Sequence, residues 1–366
     1  MRTANAMKPS AQMASQVILA ALSIFFIVLT CTAQHLPLDQ KIWDGPENGP
    51  RAQSGKKITF ISQDFRNGGI APIYRSFSSA ASILKWQITL IDGIDDAKKL
   101  RVEFAKAIDS HQDAIVLGGI QAANQEFSDL FDRARKSKIV IVGWHASAEP
   151  GPTNNLFVNI ATSSTEVAKI AVGHVTQSAT GQIGIIIFND SRYDVANAKT
   201  DGMKDAIKLC ARCKLLSVEN IKISDAQSEV PLAVTRLNQH YGKTWTHTLA
   251  INDAYFDSIN IPLLAIGRTD IQNVSAGDGS SIALSRIASG KSQQVATVAE
   301  PLGLQGWQLA DELNRAFAGQ PPSGYTSKPV LVTTAVMTRL NGGNIDSDIP
   351  YKKAYTKIWT GAPPDK

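Results

Sequence analysis

Two acidic residues stand directly after short apolar runs, Asp278 in Ala276-Gly277-Asp278-Gly279-Ser280-Ser281 and Glu300 in Ala296-Thr297-Val298-Ala299-Glu300-Pro301. In an open parallel sheet, ligands bind beyond the carboxyl ends of the strands, so a carboxylate at such a turn could hold a small polyhydroxylated molecule. Glu300 would accept hydrogen bonds from hydroxyls or pair with a ligand ammonium. The same rule selects other loops. In Gln63-Asp64-Phe65-Arg66-Asn67-Gly68-Gly69, Asp64 and Asn67 can bridge hydroxyls, Arg66 can donate a planar fork, Phe65 offers a ring, and the glycines let the backbone approach. An ordinary strand-to-helix loop with a helix cap is the alternative there. Trp144 can stack on the apolar face of a pyranose, and His145 can donate or accept a hydrogen bond. Arg192 and Tyr193 follow another β run, as do Asn252 and Asp253, for which simple turn chemistry is the competing explanation.

No catalytic set emerges. The chain has no Gly-x-Ser-x-Gly elbow, no His-Glu-x-x-His zinc motif and no Gly-x-Gly-x-x-Gly dinucleotide fingerprint, so no cofactor and no metal are expected. Scattered Asp and Glu could serve a glycosidase in principle.

The elements that would position these groups alternate. β runs are expected at Ile58–Ser62, Ile88–Ile91, Ala114–Leu117 and Ile139–Val142, separated by helical spacing at Pro72–Leu84, Ala97–Ile108 and Ala122–Lys136. Nearly continuous apolar strands argue for a parallel sheet covered on both faces. The pattern restarts after Asn159, with helices at Ser163–Thr176, Ala196–Leu209 and Val230–Tyr241, and β runs at Ile183–Phe188, Lys214–Val218, Thr248–Ile251 and Val274–Ala276. Two such units predict two α/β lobes, each a doubly wound parallel sheet, facing across a cleft.

At 366 residues the chain can build two cores, and 43% hydrophobic with 19% charged residues is ordinary for a soluble protein. Its formal charge of +5 includes Arg2 and Lys8. Without a basic cluster interleaved with aromatics, nucleic acid is not an expected partner. Arg2 and Lys8, the apolar run Val17–Leu29 and the exit Cys31-Thr32-Ala33 have the layout of a secretory signal peptide. A membrane anchor would need about 20 apolar residues. Thr30 fits poorly before a lipidated cysteine, so acylation at Cys31 is not expected. Residues 34–56, rich in Pro and Gly, read as a tether. Cys210 and Cys213 are expected to form a local structural disulfide, because the pair follows a helical run instead of opening one after a strand.

In order, the first strand-loop-helix, the Ile-Asn-Asp-Ala turn at 251–254, the Ala-Gly-Asp-Gly turn, the Ala-Thr-Val-Ala-Glu segment and Gly306-Trp307-Gln308 resemble type I periplasmic sugar-binding proteins of the ribose- and galactose-binding kind, which share their fold with LacI-family regulators. The resemblance spans about Lys57 to Val336. It implies two lobes, 57–160 with 301–328 and 161–300 with 329–366, joined by crossings near Ile160, Glu300 and Lys328. It also implies that Asn252 and Asp278 bind ligand hydroxyls, and that Asn197 stands where relatives often carry a sugar-gripping Arg. Relatives usually have an Asp-Arg pair at Trp144-His145 and often Gln at Glu300. The function so implied is capture of a monosaccharide, amino sugar or polyol for ABC-type import, by a periplasmic monomer whose partners are the carbohydrate and the permease subunits. A sensory receptor domain for a sugar-like signal, or an exported hydrolase, are the alternatives. Mass spectrometry of the exported protein is expected to show a chain beginning near Gln34; an intact Met1–Ala33 segment held in the membrane would refute the signal-peptide assignment.

Overall fold

The computed structural model describes residues 43–361. The residues expected to form a signal peptide, Cys31, the first part of the expected tether and the last five residues lie outside these.

The first sheet is built from β1 (Lys57–Ser62), β2 (Gln87–Asp92), β3 (Ala114–Gly118), β4 (Val140–Trp144) and β5 (Val158–Ile160), in the order β2-β1-β3-β4-β5 and parallel throughout. Its crossovers carry α1 (Ile70–Ile83), α2 (Ala97–Asp109) and α3 (Ser128–Lys136). Every residue of β3 is buried, as a strand covered on both faces requires. The helix expected over Ala122–Lys136 begins later, after a short 3-10 turn at Gln125–Phe127 that Asn124 caps through Glu126 N. Asp96 caps α2 by accepting from Lys98 N and Lys99 N.

After β5 the chain enters the second lobe through α4 (Ser164–Ser178), β6 (Ile183–Asn189), α5 (Asp194–Lys208), β7 (Cys213–Asn220), α6 (Ala226–Tyr241) and β8 (His247–Ala250). Two short helices, α7 (Ala254–Asp257) and α8 (Asn260–Ala265), lead to β9 (Gln272–Ser275), α9 (Ser281–Ser289) and β10 (Gln294–Ala299). From β10 the chain returns to the first lobe as α10 (Leu302–Phe317), then supplies β11 (Val330–Thr333), antiparallel to β10, and α11 (Thr334–Leu340) to the second. The second sheet runs β11-β10-β9-β8-β6-β7. Cys210 and Cys213 are joined by a disulfide at the turn between α5 and β7.

Two regions depart from the sequence expectation. The tail assigned wholly to the second lobe divides: α12 (Tyr351–Thr360) buries Tyr351, Tyr355 and Trp359 in the first lobe's core, with Ile58, Phe77 and Trp307. The reason is aromatic. Trp359 stacks on Trp307 at 5.4 Å and donates from Nε1 to the buried Asp311 at 2.9 Å. The expected tether is also tied down over its described part. Trp43 meets the Tyr355 ring edge-on at 5.2 Å, Ala52 N donates to Trp359 O, and Gln53 N donates to Asn314 Oδ1.

The helix α10 is buried almost all round, and it crosses α1 where Gly306 removes a side chain from the contact. A Cβ at Gly306 would lie 2.6 Å from Ser76 Cβ and 2.8 Å from both Ile73 O and Phe77 N. Backbone cannot swing aside as a side chain can, so Gly306→Ala is expected to cost about 2–3 kcal/mol in urea unfolding. Gly173→Ala, inside α4 with nothing within 4 Å of the added Cβ, is expected to stabilise by about 0.5–1 kcal/mol. Equal effects from the two substitutions would contradict the packing argument.

Candidate functional site

Strand ends of both lobes converge on a buried polar cluster. His145 follows β4, Asn252 follows β8, Asp278 follows β9 and Glu300 follows β10. His145 adopts φ 52°, a left-handed conformation that costs a non-glycine residue energy and that recurs at functional sites. Its Nε2 approaches Glu300 Oε1 at 2.9 Å without forming a hydrogen bond, so the contact is electrostatic in character. His145 Nδ1 stands 4.0 Å from Asp278 Oδ1.

The group that completes the cluster is Lys199. It lies on the buried face of α5 with Val195, Ala196, Thr200, Met203 and Ile207. Only 2% of it is exposed, and its Nζ sits 3.5 Å from Glu300 Oε1 and 3.8 Å from Asp278 Oδ1. Burial of an ammonium is tolerable only where opposite charge is close, and here two carboxylates supply it. Sequence reasoning missed this residue. The signal was present, because a lysine in register with Ala196, Met203 and Ile207 occupies the helix stripe that should be apolar.

The two carboxylates respond differently to burial. For Glu300, desolvation opposes ionisation, but the attraction of His145 and Lys199 and the hydrogen bond from Gln305 outweigh it and hold the carboxyl below its ordinary range. Thr162 N at 3.2 Å and Gln305 Nε2 at 2.8 Å both donate to Glu300 Oε2. For Asp278, desolvation prevails over Lys199 and His145, and its value is raised. Asn252 Nδ2 donates to Asp278 Oδ2 at 2.8 Å. Asp253, the other acidic residue of that turn, faces the framework: its Oδ2 accepts from Gly279 N and Ser280 N and so shapes the Asp278 loop. His145, Asp278 and Glu300 are the described residues whose ligand atoms lie close enough to hold a cation, within 4.8 Å of one another. Lys199 already brings positive charge to the same oxygens, which disfavours a metal ion there.

The other expected site residues divide. Trp144 is fully buried, and one face of its indole is taken by the His145 ring at 3.9 Å while Nε1 donates to Gln305 Oε1 at 2.8 Å. The stacking face foreseen for a sugar is therefore shared with a neighbour in the chain. Gly69 abuts both Trp144 and Asp278: a Cβ there would come within 2.7 Å of each. Asn67 Oδ1 accepts from Gly69 N at 3.1 Å and meets Asn252 Nδ2 of the other lobe at 3.4 Å. Asp64 accepts from Arg66 N and Nε, and Arg66 Nη1 reaches Ser224 O across the cleft at 3.4 Å. Phe65 meets the Tyr74 ring edge-on at 6.2 Å. Arg192 is held by Asp190 and by Asp95 of the first lobe, with the Tyr193 ring 5.4 Å from its guanidinium. Asn197 bonds to Asn189 and to Ser191 O on its own lobe, and the buried cation on this helix is Lys199, two residues further on.

Two facing α/β lobes with strand ends converging on a shared polar cluster define a type I binding-protein fold. A family model for the periplasmic binding protein domain matches residues 58–321, and the chain belongs to that family. No curated protein matches its sequence. Among solved structures it is similar to an ABC transporter solute binding protein from Agrobacterium vitis with bound allitol, at TM-score 0.69 and 18% identity over 79% of this chain and 98% of that one. It is also similar to the Caulobacter myo-inositol binding protein, at TM-score 0.66 and 15% identity over 79% and 97%. A periplasmic solute binding protein from Actinobacillus succinogenes with bound D-allose matches at TM-score 0.67 and 14% identity over 78% and 100%.

Removing the ammonium should expose the cost of the paired carboxylates. In the parent protein the lowered Glu300 value stabilises the fold above its ordinary 4.5, and this contribution is lost as pH falls through the folded-state value. In Lys199→Met both carboxyls are left facing each other and their folded values rise, so acid relieves the strain. The variant is expected to lose about 3–5 kcal/mol at pH 7. The deficit should shrink below about pH 5, measured by urea unfolding across pH. A deficit that is constant with pH would show that Lys199 serves packing alone.

Proposed function

We propose that the protein is an extracytoplasmic solute-binding component of an ABC-type uptake system that closes two lobes over an uncharged sugar or polyol, without turning it over. The observation that carries this reading is the internal charge balance of the cluster. Glu300, the residue that could have called for a ligand ammonium, already faces Lys199 and His145. Asp278 shares the same ammonium at 3.8 Å, so its charge too is met inside the protein and little is left for a ligand to neutralise. A neutral polyol asks only for donors and acceptors, which Asn252, Asp278, Glu300, Lys199 and His145 offer within a few ångströms of each other. The fold relatives bound to allitol, myo-inositol and D-allose support the same class. Delivery to permease subunits, and residence in the periplasm, follow the family and are part of the proposal.

Calorimetry and thermal shift with allitol, myo-inositol and D-allose, set beside glucosamine and gluconate, test it. At a hundredfold excess over Kd a neutral ligand should add about 2.7 kcal/mol to apparent stability and be recovered unchanged. Asp278→Ala, folded by circular dichroism, should bind at least about tenfold more weakly, since each charge-assisted bond contributes roughly 1.5–3 kcal/mol. Preference for glucosamine or gluconate would overturn the charge-balance argument, and an unaffected Asp278→Ala would move the site elsewhere.

A further inference from the structure

Arg192 joins the lobes. Its Nη1 donates to both carboxylate oxygens of Asp95, at 2.9 and 2.8 Å, while its Nε and Nη2 donate to the two oxygens of Asp190 at 2.9 and 2.7 Å. Asp190 is part of the second lobe and only 2% exposed, so the guanidinium is aimed by a fixed buried carboxylate at a partner on the first lobe. That partner is prepared as well. Asp95 and its neighbour Ile94 both take left-handed backbone angles, φ 58° and 49°, which neither residue adopts without cost. The turn is held by Asp92 Oδ1, which accepts from Ile94 N, and by Gln63, whose Nε2 donates to Asp95 Oδ1 at 2.8 Å.

Topology places this pair far from the pivot. Asp95 follows β2, the edge of the first sheet opposite β5, and Arg192 follows β6, on the side of the second sheet opposite β10 and β11. The chain passes between lobes at β5, β10 and β11, so groups at the other edge separate most per degree of opening. We propose that Arg192 and Asp95 form a closure latch at the mouth of the cleft, a positioning pair that sets how long the lobes stay shut without touching the ligand. The latch deepens the binding reading above and rests on it for one arm of the test. With the Arg192 side chain 35% exposed, the pair is open to screening by salt.

Small-angle scattering and stopped-flow release of allitol, on the full mature chain and on Asp95→Asn, Arg192→Gln and the double variant, decide the matter. Each single variant is expected to raise the radius of gyration and speed release about tenfold with association changed less than about twofold, because loss of a closing contact acts on dissociation. The double variant should go no further than either single one. Raising sodium chloride from 100 to 500 mM should shift the parent towards the variants and leave the variants unmoved. Scattering that responds while no polyol binds would keep the latch and sink the proposed ligand class. Release and scattering both unchanged in Asp95→Asn, or effects that simply add in the double variant, would overturn the latch.

Discussion

The ammonium of Lys199 has to be buried between Glu300 and Asp278, and much of the remaining architecture follows from making that placement tolerable. A lone buried cation would lose several kcal/mol of hydration, and so would either carboxylate. Together, with Thr162 N, Gln305 and Asn252 taking up lone pairs, they are matched. Because Lys199 comes from α5 of one lobe and His145 from β4 of the other, the match is complete only when the lobes face each other. Electrostatics inside the cleft and closure of the cleft are therefore one problem.

Glu300 also ties that problem to the hinge. It stands where the chain leaves β10 for α10, accepts from Thr162 N just past the β5 passage, and accepts from Gln305, whose amide also reaches Ser327 Oγ near the passage into β11. Gln305 in turn accepts from Trp144 Nε1. One carboxylate thus touches, directly or through a single amide, each of these strands' connections between lobes. In the proposed binding reading, a ligand hydroxyl that drew on Glu300 would change the hydrogen bonding of the pivot itself, and occupancy would then have a physical route to lobe angle without a long chain of contacts.

Strands were legible because parallel sheets covered on both faces write themselves as apolar runs, and Ile183–Phe188 or Ala114–Leu117 leave little room for another reading. The turn residues Asn252, Asp278 and Glu300 were legible for the same reason: a polar group directly after such a run must lie at the strand's carboxyl end. Lys199 and α12 were not. A lysine in mid-helix ordinarily marks a solvated face, and only the phase of its apolar neighbours betrays the opposite. The sequence Tyr351–Thr360 is an amphipathic helix with an aromatic stripe, which says that it docks without saying on which lobe; Trp307 and Asp311 on α10 decide that through contacts distant in sequence. The sequence offers Trp144 as a stacking platform because stacking partners cannot be counted from one chain position, whereas in the fold its immediate neighbour His145 turns back over the ring through a left-handed backbone angle.

The division of labour among arginine, lysine and histidine is itself informative. Arg192 and Arg66, whose planar forks suit carboxylates and carbonyls, bridge the lobes towards the mouth of the cleft, where both side chains stay partly exposed. Lys199, a compact charge with rotatable donors, lies deep inside, where a guanidinium would fix the geometry of two carboxylates and leave their oxygens less free for hydroxyls. Strong, directional pairs at the rim and an adaptable charge at the centre suit a cleft that must close firmly yet hold its contents by many exchangeable hydrogen bonds.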